Sequence, residues 1–227
     1  MRVRNLVAVI AAAIGLCTGI TSTATADDVE PYIIGGGTVS SAPWAAAVFQ
    51  SGRFACSGTI IAPDWVLTAR HCLSSSMSVR VGSVYKSSGG TTASVVRQVA
   101  SSRSDFALLR LSKSIATTYV TLASADPAVG STNQIFGWGR TSYDGPASEQ
   151  LKTADVRVTS TSCLDYRNGR AICSVGIDGN AWKGDSGGPQ MAAGVQVGVA
   201  STADGSSRQT YGSVAFNRSW IRSVTGV

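Results

Sequence analysis

Histidine is almost missing from this 227-residue chain, which carries one, His71. A metal centre built on several imidazoles is therefore excluded, and any imidazole base has a single candidate. Charge is scarce too, at 14% of residues against about a quarter in an average globular chain, which argues against a coiled coil or a disordered tail. Lys and Arg outnumber Asp and Glu by 19 to 13. No run of five or more basic residues occurs, so this excess reads as scattered surface charge, and no nucleic-acid partner is expected. Nor does any apolar stretch reach the eighteen residues that span a bilayer, so no membrane partner is expected.

What the chain does have is glycine, 25 of it, and short runs rich in Val, Ile, Leu, Phe and Thr between turn clusters. These runs are Ala45–Phe49, Phe54–Ile60, Trp65–Ala69, Ser78–Val84, Ser94–Ala100, Phe106–Leu111, Gln134–Trp138, Leu151–Val158, Val195–Ser201 and Tyr211–Ala215. About ten strands at such spacing predict an all-β sandwich or barrel, and no internal repeat is visible. The stretch from Leu122 to Thr132, with Pro127 and Gly130, is a candidate joint between two halves. The tail differs: Asn217 is a candidate N-cap, and Trp220, Ile221 and Val224 share one helical face, which predicts a short closing helix.

The N-terminal segment has the form of a secretory signal. Arg2 and Arg4 precede an eleven-residue apolar or small run, Leu6–Leu16, and Ala24-Thr25-Ala26 offers a cleavage site, so residues 1–26 are expected to be removed. Removal takes Cys17 with it and leaves Cys56, Cys72, Cys163 and Cys173 in a chain bound for an oxidising compartment, where two disulfides are expected. Four cysteines permit three connectivities; pairing sequence neighbours closes the shortest loops. Residues 27–32 hold three of the thirteen acids, and without residues 1–32 the chain carries 17 Lys+Arg against 10 Asp+Glu, a net +7.

Three segments carry candidate chemistry. Gly184-Asp185-Ser186-Gly187-Gly188-Pro189 sets a serine in a turn whose glycines allow a tight backbone and convergent amide hydrogens. Leu67-Thr68-Ala69-Arg70-His71-Cys72 puts the only histidine at a strand end beside a cysteine. Ser104-Asp105-Phe106-Ala107-Leu108-Leu109 starts an apolar strand on an aspartate. The order His, Asp, Ser is that of the chymotrypsin type of triad, whereas hydrolases with a G-x-S-x-G elbow run Ser, Asp, His.

On these motifs, together with Ile33-Ile34-Gly35-Gly36, the chain resembles the secreted trypsin/chymotrypsin-like serine proteases from Ile33 to its end. The resemblance implies two packed six-stranded antiparallel β barrels, with the site between them and a short C-terminal helix. It implies a serine endopeptidase with Ser186 as nucleophile, His71 as base and then acid, and Asp105 orienting the imidazole. The amides of Gly184 and Ser186 would form the oxyanion hole, and no metal or organic cofactor would be needed. Residues 27–32 would be an activation propeptide ahead of a protease domain at 33–227. Cleavage before Ile33 would free an α-amino group to pair with Asp185. Protein or peptide substrates, protein inhibitors and a monomeric state complete the expectation. Two rivals remain open at this stage, a catalytically silent binding protein on the same fold and an esterase using the same triad.

Departures from the family pattern bear on specificity. The pocket-base acid of trypsins falls on Asn180, with Asp178 two residues away. Ser201-Thr202-Ala203 stands for the usual Ser-Trp-Gly, replacing an aromatic wall and adding a methyl, which narrows the expected pocket. Trp182 occupies the place of a cysteine that would cross-link the pocket loops, so looser loops are expected. Arg70 replaces a small residue before the histidine, and its side chain is free to face solvent, to meet substrate, or to disfavour the imidazolium as a nearby like charge. Tyr32 before the presumed cleavage point excludes a Lys/Arg-specific activator. No Asp or Glu lies between Trp65 and Ser104, so the loop that binds calcium in some relatives lacks carboxylate ligands here.

Overall fold

The structure, a computed structural model, describes residues 33–227; the expected signal peptide and propeptide, with Cys17 and Tyr32, lie outside the described residues. Twelve principal strands form two closed barrels. The first is built from β1 (Ala45–Gln50), β2 (Arg53–Ala62), β3 (Trp65–Thr68), β4 (Met77–Val81), β5 (Thr91–Ala100) and β6 (Ala107–Leu111). The second comprises β7 (Thr132–Gly137), β8 (Lys152–Leu164), β9 (Arg170–Gly176), β10 (Pro189–Ala192), β11 (Val195–Ala203) and β12 (Arg208–Ser213). Neighbours run β1-β2-β3-β6-β5-β4 and back to β1 in the first ring, and β7-β8-β9-β12-β11-β10 and back to β7 in the second, all antiparallel. Both rings therefore close in the same order. Closure pairs the strands of each ring with one another, and β8 also takes a two-residue strand, Gly37–Thr38, at Lys152 and Thr153.

Alternation sets which side chains face inward. In β4, Met77, Val79 and Val81 are buried while Ser78 and Arg80 are less so, the two-residue period of a sheet with one solvated face. In β8 the inward set is Ala154, Val156 and Val158. The two barrels share apolar packing: Met191 and Val199 of the second lie in one buried cluster with Ile60, Leu67 and Leu108 of the first. A buried polar tie accompanies it, Thr59 Oγ1 donating to Gln196 Oε1 at 2.7 Å.

Two of the twelve principal strands escape the sequence reading. Arg170–Gly176 sits in a short disulfide loop with little alternation, and Pro189–Ala192 begins on a proline, a residue strands accept only at an end or an edge. The closing helix α1 runs Val214–Thr225, with Ile221 buried and Trp220 and Val224 packed on the core as expected. Its N-cap is Ser213, whose Oγ accepts the N–H of Phe216 at 3.1 Å, not Asn217. Asn217 lies within the helix and is buried, because its Oδ1 accepts the hydroxyl of Ser104 at 2.6 Å and its Nδ2 donates to the Ser213 carbonyl at 2.9 Å. That bond ties the helix to the residue just before Asp105. Disulfides join Cys56 to Cys72 and Cys163 to Cys173, the connectivity with the shortest loops.

Candidate active site

The register of β3 on β6 pairs Thr68 with Ala107. Continued antiparallel past both strand ends, it sets Arg70 opposite Asp105, and the Arg70 N–H donates to the Asp105 carbonyl at 3.2 Å. The chain then turns through a short 3-10 segment, Arg70–Cys72, whose last residue is fixed to β2 by the Cys56–Cys72 disulfide. His71 is thus held on both sides. Its N–H donates to Asp105 Oδ1 at 3.0 Å, and its Nδ1 lies 2.7 Å from Asp105 Oδ2. The Asp105 carboxylate is fully buried while the imidazole is 29% exposed, so the ring presents its other nitrogen outward. A carboxylate only accepts, so Nδ1 carries the proton and the Nε2 lone pair is left for chemistry.

Asp105 Oδ2 also accepts the hydroxyl of Ser201 at 2.7 Å. Ser201, expected as a pocket residue, lines the cleft and in addition joins β11 of the second barrel to the acid. Its Oγ in turn accepts the N–H of Tyr166 at 3.0 Å.

Ser186 stands in the same cleft as His71, a cavity of about 460 Å³ also lined by Tyr166, Trp182, Thr202 and Ala203. Its turn is docked by Ser57 of the first barrel, whose N–H donates to the Ser186 carbonyl at 2.8 Å and whose Oγ donates to the Gly184 carbonyl at 3.0 Å. Gly187 follows at φ +80°, where a Cβ would overlap the Ser57 carbonyl and Thr68 Oγ1, so only glycine allows this approach. Among the described residues, the N–H groups of Gly184 and Ser186 have no acceptor within the protein.

Asp185 points the other way, into the second barrel. Its carboxylate accepts the N–H of Gly139 at 2.7 Å and of Trp182 at 2.8 Å, and among the described residues no cation pairs with it. Burial pushes its pKa up to about 7 against those two donors. The hydroxyl of Tyr211 is itself raised by burial and by the Asp185 charge. Ile33, fully buried, packs in the same cluster as Tyr211, with Ile135, Ala154 and Ala200. Tyr211 thus shares a buried cluster with one member of the expected activation pair and feels the charge of the other.

The specificity residues divide. Asn180 pairs with Ile34 in a two-residue strand, and its Nδ2 donates to the Ser206 carbonyl at 2.9 Å. Asp178 is turned away, its Oδ1 accepting the Asp155 N–H at 2.7 Å. The one acid in the cleft lining is Asp185, whose carboxylate is occupied as described. The Arg70 guanidinium donates to the Ser101 carbonyl at 2.7 Å, strapping the segment that leads to Asp105. Trp182 does more than replace a cysteine. Its indole stacks on Tyr143 at 5.0 Å between centroids, its Nε1 donates to the Tyr143 carbonyl at 3.0 Å, and it covers Gly205 so closely that a Cβ there would lie 2.6 Å from the ring. Three rim segments therefore meet at this indole, through an aromatic contact of a kind worth about 0.5–1.5 kcal/mol beyond its area.

Sequence reasoning missed Asp165 and Tyr166 altogether. Both lie in the Cys163–Cys173 loop, and only the cysteine spacing marked that loop. The potential metal-ligand group found among the described residues, Cys56, His71 and Cys72, has both cysteines bound in a disulfide. No helix among the described residues is long and apolar enough to cross a membrane.

A family model described as Trypsin matches residues 33–221. Trypsin alpha of Drosophila erecta is 34% identical over 230 residues, covering 86% of this chain and 88% of the relative. Trypsin beta of the same fly is 35% identical over 224 residues, covering 85% and 88%. Among solved structures, neuropsin, a serine protease expressed in the limbic system of mouse brain, superposes with a TM-score of 0.72 at 28% identity, covering 80% of this chain and 94% of that one. Human heparin binding protein superposes with a TM-score of 0.74 at 24% identity, covering 85% and 96%, a likeness of fold.

Proposed function

The chain belongs to the trypsin family and is a serine endopeptidase acting on protein or peptide substrates, and from that premise we propose that it is a secreted enzyme working through His71, Asp105 and Ser186. The observation that carries this reading is the Nδ1–Oδ2 contact of 2.7 Å between His71 and a buried Asp105, in a cleft that Ser186 also lines. Ser186 Oγ attacks the scissile carbonyl carbon as His71 Nε2 takes its proton, and the imidazolium that forms is steadied by Asp105. The carbonyl oxygen becomes an oxyanion, which the unused N–H groups of Gly184 and Ser186 receive; one such donor is typically worth about 3–4 kcal/mol. Collapse passes the proton from Nε2 to the leaving amine and leaves an acyl group on Ser186. Water then repeats the sequence to release the acid. Residues 1–26 act as the signal peptide and residues 27–32 as the activation propeptide in this reading.

A serine-directed phosphonylating reagent tests it. Protein beginning at Ile33 becomes labelled at Ser186, and His71→Ala prevents the labelling. No labelling of the processed protein would instead favour a binding protein on a protease fold.

The primary pocket in this reading takes uncharged side chains. A buried Lys or Arg of the substrate would lack a carboxylate partner, since Asn180 is neutral, Asp178 is engaged elsewhere and Asp185 is held by backbone donors. Digestion of a peptide library, read by mass spectrometry, is expected to give cleavage after uncharged residues exceeding that after Lys or Arg by more than about tenfold. The reverse preference would mean that an acid reaches the pocket.

A further inference from the structure

Asp165 is 5% exposed, and no cation pairs with it among the described residues. Backbone donors hold it on both sides. Its Oδ1 accepts the N–H groups of Arg167 and Gly169 at 2.8 Å each, and its Oδ2 accepts the N–H of Asp105 at 2.9 Å. The next residue, Tyr166, donates its N–H to Ser201 Oγ at 3.0 Å, and that hydroxyl donates to Asp105 Oδ2 at 2.7 Å. The Tyr166 ring stands edge-on to the His71 imidazole, with centroids 6.2 Å apart. The loop is closed on itself: the Asp165 N–H donates to the Gly169 carbonyl at 2.8 Å, and the Asn168 N–H to the Asp165 carbonyl at 2.9 Å. The Cys163–Cys173 disulfide pins its base.

From these contacts we infer that Asp165 is a positioning residue for the Asp105–His71 pair, fixing the backbone of Asp105 while the adjacent Tyr166 amide fixes the Ser201 hydroxyl that bonds its carboxylate. This inference rests on the triad proposed above. Chemistry explains why the residue is an acid. Closing the loop needs an acceptor facing Arg167 and Gly169, which an asparagine oxygen would also supply. Holding Asp105 needs a second acceptor on the opposite oxygen, where an asparagine would present an NH2 group to an N–H donor. A buried charge without a cation is costly unless fully hydrogen-bonded, and here three amides supply those bonds.

Asp165→Asn therefore separates the two tasks, keeping the loop closed and breaking the link to Asp105. In protein beginning at Ile33, kcat is expected to fall about 10- to 100-fold with KM changed less than about threefold, as a small misplacement of catalytic groups does. Asp165→Ala also frees the loop and additionally raises KM, because Tyr166 leaves the cleft wall. A second measurement does not depend on turnover. His71 is the only histidine, so its ring N–H resonance is unambiguous; it is expected to shift or exchange away in Asp165→Asn. Wild-type kcat together with an unchanged His71 resonance in Asp165→Asn would overturn the inference. If wild-type protein is neither labelled at Ser186 nor active, the triad reading fails, and the resonance alone then decides whether Asp165 orders the pair.

Discussion

Protein carrying His71→Ala is expected to retain about one part in 10⁵ to 10⁶ of the wild-type kcat on a peptide substrate, the scale seen when the base of such a triad is removed. The chain has no second imidazole, and around Asp105 the remaining donors are fixed in other work: the Ser201 hydroxyl already bonds Oδ2 and the backbone of His71 bonds Oδ1. No second imidazole is available to accept the Ser186 proton. KM is expected to change little, because His71 contributes one part of a cleft whose wall also comes from Tyr166, Trp182, Thr202 and Ala203. Adding Ser186→Ala to His71→Ala lowers kcat little further, since the two act as a unit. Asp105→Asn is expected to cost about 10⁴-fold, because the amide favours the wrong imidazole tautomer. Steady-state kinetics on the three variants checks the set. A His71→Ala enzyme within tenfold of wild type would mean that proton transfer does not pass through this imidazole.

Much of this site is legible in the sequence because its parts sit in short local motifs. His71 follows an apolar run and precedes a cysteine, Asp105 opens another run, and Ser186 lies among glycines. Their meeting is less legible, because it depends on the register of β3 against β6 and on Ser57 reaching Ser186 across 129 positions of chain. What supports them is least legible of all. Asp165 reads as an ordinary loop acid, and only the fold brings it to the backbone of Asp105. Asn217 reads as a helix cap, yet a distant hydroxyl, that of Ser104, draws it into the helix interior and Ser213 caps instead. The strands follow the same rule. Runs with two-residue alternation announce themselves, whereas Pro189–Ala192 is a strand because β7 and β11 flank it. The two barrels close in one strand order with no visible sequence repeat, since a ring constrains the spacing and inward alternation of its strands while leaving many apolar residues able to fill the same position.

Removing residues 27–32 is expected to raise activity about 10²- to 10⁴-fold, which is the 3–5 kcal/mol cost of leaving one partner of a buried ion pair alone. In the unprocessed chain Ile33 is buried in the cluster that holds Tyr211, but its nitrogen is a neutral peptide and offers Asp185 no charge. The Asp185 pKa of about 7 against an ordinary 3.8 means that the folded state holds this proton more tightly than the unfolded one. Its contribution to stability is therefore fully present below about pH 4 and is lost as pH rises through about 7, giving the unprocessed chain a melting temperature that declines over that window. An α-amino group at Ile33 reverses the situation. Its ordinary pKa is about 8; pairing raises it and pulls the Asp185 carboxyl down, so the decline between pH 4 and 7 shrinks. A new loss of activity and stability then appears as pH rises above about 8 and the ammonium deprotonates. Since the Asp185 amide donates to the Trp182 carbonyl and its carboxylate accepts the Trp182 N–H, the pair reaches the rim of the cleft and the turn that carries Ser186. Melting curves and activity from pH 4 to 10, measured on protein starting at Asp27 and at Ile33, check the prediction. Equal activity of the two forms, or full activity of processed Asp185→Asn, would remove Ile33 and Asp185 from any role in switching the enzyme on.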